Sequence, residues 1–437
     1  MFVLMYQSRV HYVSLFVSGN GTSNDTSLYY GGDWEFGDDF IERYVADIIY
    51  VYVSPFLLLL GTIGNLFSLT VMLRLSQQVF SSCVYLAILA SVDLVVLYMR
   101  CGNDWLKNAV QVDLSNMLMV TSQSICQVYP FVFNFIFHLS KWMLVSLAIE
   151  GFIATKYPER VQAMCTLSRA KAVSLLLTVL LVCVNIHYFW SYKLNELKDS
   201  EHHNGFLCTF AKHGHQYSEE FQEIIWPILD LLIGEVVPYC VVIACGSIMF
   251  VQMVKGKHKG DKQHQQWRKR YQLNSGAMDE LKVTVLVVCV FYLLLTMPKF
   301  AYIVSRYVIE KYELIEYSFQ FDAQQLLAHA VCSTLEYCFL SFKFVIYLST
   351  STMFRREYCK LFRSLFCHCR NKVYTPADAT IAQKPLMAKE HPTIRQQPPQ
   401  QTMQKKVHDI SDWKHCQHLS ASLYMRESEL PNNVTTV

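Results

Sequence analysis

Residues 126–158 read CQVYPFVFNFIFHLSKWMLVSLAIEGFIATKYP. Between Cys126 and Glu150 the only formal charge is Lys141. The hydrocarbon core of a bilayer is about 30 Å thick, and a helix crosses it with roughly 20 mostly apolar residues. This run is longer than that and predicts a membrane-spanning helix. A core strand would be far shorter, and lipid leaves the backbone no hydrogen-bond partner but itself.

Six further stretches qualify, near 46–73, 82–100, 171–190, 222–253, 281–305 and 325–349, with 122–150 for the run quoted above. The composition agrees. Apolar residues make up 52% of the chain and charged residues 17%, where a soluble domain holds nearer a quarter. The expected fold is an all-α membrane protein, a seven-transmembrane helix bundle. The expected organisation is an outer segment 1–45, a bundle 46–350, an amphipathic interfacial helix 352–366 and a disordered tail 371–437. In the helix 352–366 (TMFRREYCKLFRSLF), Phe354, Tyr358, Phe362, Leu365 and Phe366 share one face and basic residues the other. The tail is rich in Pro and Gln, as in RQQPPQQ.

Basic residues set the expected orientation. The connection after the fifth span holds Lys255, Lys257, Lys259, Lys262, Arg268, Lys269 and Arg270 against Asp261. The connection after the third holds Lys156, Arg160, Arg169 and Lys171, and Arg355, Arg356, Lys360 and Arg363 follow the seventh. The segment before Val45 is acidic. By the positive-inside rule the N-terminus is extracellular and the C-terminus cytoplasmic. Asn20 and Asn24 are sequons on the outer side, whereas Asn433 is a sequon on the wrong side. A signal peptide is not expected, since the first twenty residues carry Arg9 and His11 and no clear cleavage site. Cys367 and Cys369, after the interfacial helix, are either palmitoylated or plain juxtamembrane thiols. No Cys/His spacing reads as a metal site, and His202, His203, His213 and His215 read first as solvated loop residues. No cofactor and no nucleic acid is expected; the bilayer is the evident partner.

Several motifs recur in order along the spans. They are GTIGNLFSLTVML with Asn65, LAILASVDLVVL with Asp93, SKWMLVSLAIEGFIATKYP in the third span, Pro238 in the fifth and LTMPKF with Pro298 in the sixth. The seventh reads SFKFVIYLSTSTMFRREYCKLF, with Tyr347. Over about residues 46–366 the chain resembles rhodopsin-like (class A) G-protein-coupled receptors of the peptide-receptor group. The run YPFVFNFIFHLSKWMLVSLAIE is similar to invertebrate FMRFamide-type neuropeptide receptors. Aminergic receptors carry an Asp where this chain has Phe133.

The resemblance implies a plasma-membrane receptor, not an enzyme, that passes binding of an extracellular peptide to a heterotrimeric G protein, with arrestin as a further partner. It implies a disulfide between Cys126 and Cys208, and Trp105 in an outer loop. It also implies a sodium-type polar site at Asp93, Ser140 and Lys343. An Asp at mid-bilayer costs ~3 kcal/mol on insertion scales, so either Lys343 pairs with Asp93 or it reaches for the headgroups. Asp104, Asp230, Lys299, Arg306 and Glu336 are candidates for a ligand pocket or for internal ion pairs. Three activation landmarks depart from the pattern. Gly151 stands between Glu150 and Phe152 where the family has Arg, Thr296 where it has Trp, and Lys343-Phe344 where it has Asn-Pro. Gly151 is either tolerated drift or the mark of weak, unusual or absent coupling, as in a decoy or scaffold-coupled protein. A transporter is the third reading, but the internal repeat it would show is not seen. Thr435-Thr436-Val437 fits capture of a free C-terminus by a PDZ domain.

Overall fold

The computed structural model describes residues 40–76, 81–198, 204–211, 221–258, 275–312 and 318–371. Seven helices are long and apolar enough to span a membrane. They are α1 (Ile41–Ser76), α2 (Ser82–Ala109), α3 (Gln123–Lys156), α4 (Leu167–Ser191), α5 (Trp226–Lys255), α6 (Met278–Ile309) and α7 (Phe319–Thr350). A second unit begins at Met353 and is described by itself. Helix α8, Thr352–Asn371, belongs to it from Met353 on, while Thr352 is part of the first unit.

These helices do not bury one apolar stripe against water. Leu59, Leu175 and Leu294 point outward and are exposed, as suits a lipid-facing surface, while the interior collects Asn65, Asp93, Ser140 and Lys343. α1 can approach α2 and α7 because position 61 is Gly. A Cβ there would lie 2.4 Å from Leu97 Cδ2 and 2.7 Å from Ser341 Oγ. Asn65, one turn on, donates to the Leu340 carbonyl at 3.2 Å.

Several boundaries differ from the sequence expectation: α1 starts at Ile41, α3 runs on to Lys156 and α7 starts at Phe319. α2 continues to Ala109 instead of ending near residue 100, so Trp105 is helical and not in a loop. α8 runs past residue 366 to Asn371, because its sequence has no Gly or Pro to stop it. Cys367 and Cys369 therefore lie in its last turns and do not follow it. Within α8, the Tyr358 and Phe362 rings lie 6.0 Å apart on one side.

Three helices contain π turns, Ile49–Val53 in α1, Tyr98–Gly102 in α2 and Leu232–Val236 in α5. Each inserts an extra residue and so rotates the side chains beyond it around the helix axis. Their positions matter for the site below.

One end of the bundle carries an antiparallel hairpin, β1 (Tyr192–Lys198) and β2 (Asn204–Phe210), with Leu194 opposite Cys208. Cys208 is disulfide-bonded to Cys126 in the first turn of α3, with Cα atoms 5.6 Å apart. Around the bond pack Met119, Tyr188, Tyr192 and Trp226, and Trp226 Nε1 donates to the Tyr188 hydroxyl at 3.1 Å. Gln123 fixes the hairpin's root. Its amide oxygen accepts from Leu194 N–H at 2.8 Å and its amide nitrogen donates to Tyr192 O at 3.2 Å. Burial pushes the Tyr192 phenol well above its ordinary range, with Asp230 adding to it. Because the cross-link closes a long loop, Cys126→Ala or Cys208→Ala is expected to lower the surface-expressed fraction several-fold. Unchanged surface levels by flow cytometry would contradict this.

Candidate functional site: a buried charge network

The deepest charges are Asp93 on α2 and Lys343 on α7, 0% and 1% exposed. The Lys343 ammonium is bonded to Asp93 Oδ2. Ser140 of α3 donates to the other carboxylate oxygen at 2.9 Å, and the Phe339 ring faces the ammonium at 4.4 Å. Both carboxylate oxygens are thus occupied, and three helices meet there. An isolated charge at this depth would be prohibitive; two opposite ones in contact resolve each other.

Toward the hairpin end lies a second layer. Arg100 Nη1 of α2 donates to Glu336 Oε1 of α7 at 2.8 Å, and Lys141 of α3 is bonded to Glu235 of α5. Both cations face one aromatic ring, that of Phe137, at 5.2 Å for Arg100 and 4.1 Å for Lys141. The line Glu336–Arg100–Phe137–Lys141–Glu235 therefore crosses the bundle from α7 to α5. Arg100 and Glu235 both sit in π turns, and those turns direct them inward. Between the two layers is a cavity of about 20 Å³, bounded by Ser140, Lys141, Tyr292, Thr296 and Glu336 among others. That is room for one water molecule.

His138 on α3 is held from both sides. Its Nδ1 accepts from the Asn185 amide at 3.2 Å, and that amide also donates to Leu181 O at 2.8 Å. The His138 Nε2 faces the Asp230 carboxylate at 3.1 Å. Asp104 Oδ2 accepts from the Tyr337 hydroxyl at 2.5 Å, and Lys299 donates to Ser333 Oγ at 2.5 Å. The pocket candidates Asp104, Asp230, Lys299 and Glu336 are therefore engaged by the protein itself. Arg306 lies in the last turns of α6, and Phe133 stacks on Tyr129 with centroids 6.4 Å apart.

At the opposite end, Glu150 is buried and accepts hydrogen bonds from the Ser81 and Ser82 hydroxyls. Burial, with Glu150 nearby, pushes the Cys165 thiol up to about 12. Gly151 is buried between α5 and α6. Thr296 accepts a hydrogen bond from the Tyr239 hydroxyl at 2.7 Å, linking α6 to α5. Tyr347 is 2% exposed, and Pro298 lies inside α6. Asn20, Asn24, the four loop histidines and Thr435-Thr436-Val437 lie outside the described residues.

This architecture, seven spans with a disulfide from the third helix to the following hairpin, agrees with the family comparison. Residues 64–338 match the model of the 7 transmembrane receptor (rhodopsin family). The chain belongs to the rhodopsin family of seven-transmembrane receptors. It is therefore a multi-pass membrane receptor and not an enzyme, and its family answers extracellular ligands and acts on G proteins. A search of curated proteins finds no match.

Sequence reading missed Arg100, His138, Lys141 and Glu235 as site residues. Their signal was present, because an ionisable residue inside a span is itself a functional flag. Their partners were not, because π turns and helix rotation decide which charges meet.

Each partner of the Asp93–Lys343 pair is expected to be essential in the presence of the other. Lys343→Ala or Asp93→Ala leaves one charge buried alone, a loss of ~3–5 kcal/mol. Both single variants should show reduced surface expression, and Asp93→Ala/Lys343→Ala should recover part of it. A double variant as poor as the product of the singles would contradict the pairing.

Proposed function

We propose that the receptor binds an extracellular peptide with its hairpin end outside the cell and passes the signal to a G protein at the opposite end. The observation that carries the reading is the acidic set at the hairpin end. Asp104, Asp230 and Glu336 come from α2, α5 and α7, each with an intramolecular partner that a ligand can replace. A basic peptide, such as an amidated one with Arg or Lys, competes with Arg100 for Glu336 and with His138 for Asp230. A ligand cation that takes Glu336 displaces the Arg100 guanidinium, which has the Asp104 carboxylate near it, so binding shifts the network to the extent that the ligand favours the rearranged state. The 20 Å³ cavity beneath keeps the body of a peptide above the Phe137 layer.

The orientation is supported by the disulfide, which needs an oxidising side, and by the Lys and Arg of the opposite connections. On this reading Asn20 and Asn24 carry glycans. Cys367 and Cys369 anchor α8 through palmitate, and the tail offers arrestin and PDZ contacts. A receptor without G-protein output is a second reading, favoured by Gly151. The FMRFamide-type assignment is the narrowest form of the peptide proposal.

A peptide library screened in parallel for G-protein activation and arrestin recruitment tests both readings. The proposal expects a basic peptide to activate the G-protein channel, weakened about ten-fold or more by Glu336→Gln. Arrestin recruitment alone would support the second reading, and response only to acidic or non-peptide ligands would overturn the ligand class. The Lys343 ammonium also fills the place between α2, α3 and α7 where the family binds sodium. Ligand affinity is then the same in sodium and in choline buffers; a several-fold difference would contradict it.

A further inference from the structure

We infer that Gly151 sets the resting contact between α3 and α6, and that the absence of a side chain there holds the receptor's G-protein-facing end shut. A Cβ built on Gly151 would lie 2.8 Å from Val285 Cγ1 of α6 and 2.9 Å from Met249 Cε of α5. Real Cβ atoms do not approach other atoms so closely. The three helices are therefore packed to a distance that only glycine permits. Met249 and Val285 are 0% and 1% exposed, and Cys289, one turn along α6 from Val285, is 0% exposed. The seam is buried and close-packed.

The two clashes are not equivalent. Met249 meets the new carbon with the end of a flexible thioether chain, which can swing away. Val285 is β-branched and has essentially one rotamer in a helix, so it transmits the overlap to its own backbone. A side chain at 151 therefore displaces α6 more than α5. Cores resist such insertions, and a two-state bundle relieves the overlap by moving to the state in which the helices stand apart.

A second contact fixes the same end of α6. Glu280 accepts from Thr352 N–H at 2.9 Å and from Thr352 Oγ1 at 2.7 Å, and Thr284 Oγ1 lies 2.8 Å from Thr350 Oγ1. The start of α6 is thus bonded to Thr350 at the end of α7 and to Thr352 just beyond it, and is packed against α3 with no side chain between them at residue 151. Gly151 on this account is a positioning residue. It makes the unliganded receptor quiet and does not by itself abolish coupling.

The test is cysteine protection. Purified receptor in lipid nanodiscs is treated with a charged methanethiosulfonate reagent, and labelling of Cys289 is followed by peptide mass spectrometry. Wild type should protect Cys289. Gly151→Ala should label about ten-fold faster, and Gly151→Ala/Val285→Ala, which removes the stiff partner, should return to the wild-type rate. Val285→Phe builds the overlap from the α6 side and should also speed labelling, which keeps the inference testable if Gly151→Ala expresses poorly. Equal protection in folded Gly151→Ala and Val285→Phe, or equal exposure in the double variant, would overturn it. The inference rests on the proposed G-protein reading only in its second readout. Basal G-protein activation should rise with Gly151→Ala in parallel with labelling. Faster labelling with no rise leaves the seam standing and counts against G-protein coupling alone.

Discussion

A carboxylate and an ammonium face each other in the middle of seven helices, and most of the interior follows from that contact. Neither Asp93 nor Lys343 tolerates lipid alone, so α2 and α7 come together wherever both residues point inward. Ser140 takes the remaining carboxylate oxygen and draws in α3. Gly61, Asn65 and Ser341 then seat α1 against this pair of helices. The polar atoms are expensive, but their directionality fixes helix rotation in a way that apolar packing between lipid-like surfaces does not.

The second layer extends the same logic. Arg100 with Glu336 ties α2 to α7, and Lys141 with Glu235 ties α3 to α5. Phe137 lies against both cations, so the two clamps share one ring. Tyr239 and Thr296 add a neutral link from α5 to α6. The resting bundle is therefore held by exchangeable charge pairs toward the hairpin end and by close packing at Gly151 toward the other. On the proposed reading a ligand acts on the first and an intracellular partner reads the second, and the Tyr239–Thr296 bond joins α6 to α5 between them.

Much of this was legible in the sequence because the bilayer imposes a long, unambiguous period of apolar residues. The seven spans were readable in that way, while the family came from motifs in order along them and the Cys126–Cys208 bond from the resemblance those motifs carry. The interior was less so. Asp93 and Lys343 stood out as charges with nowhere to go, whereas Arg100 and Glu235 required the π turns at 98–102 and 232–236 to direct them inward. Gly151 read as a missing arginine. That it is also a close contact with Val285 depends on how α6 is seated, which no local pattern encodes. The helix ends were the weakest point. α8 outran its expected limit because no Gly or Pro stops it there, whereas α2 runs on through Gly102 at the end of its π turn.

Lys343 neutralises Asp93 only if that carboxyl is ionised. Infrared difference spectroscopy of the purified receptor, wild type against Asp93→Asn, reads this directly. An Asp93–Lys343 ion pair predicts loss of an ionised-carboxylate band with no change in the protonated-carboxyl region. Loss of a protonated-carboxyl band that shifts in heavy water would show a neutral Asp93, and the ion pair on which the rest of the structure depends would not exist.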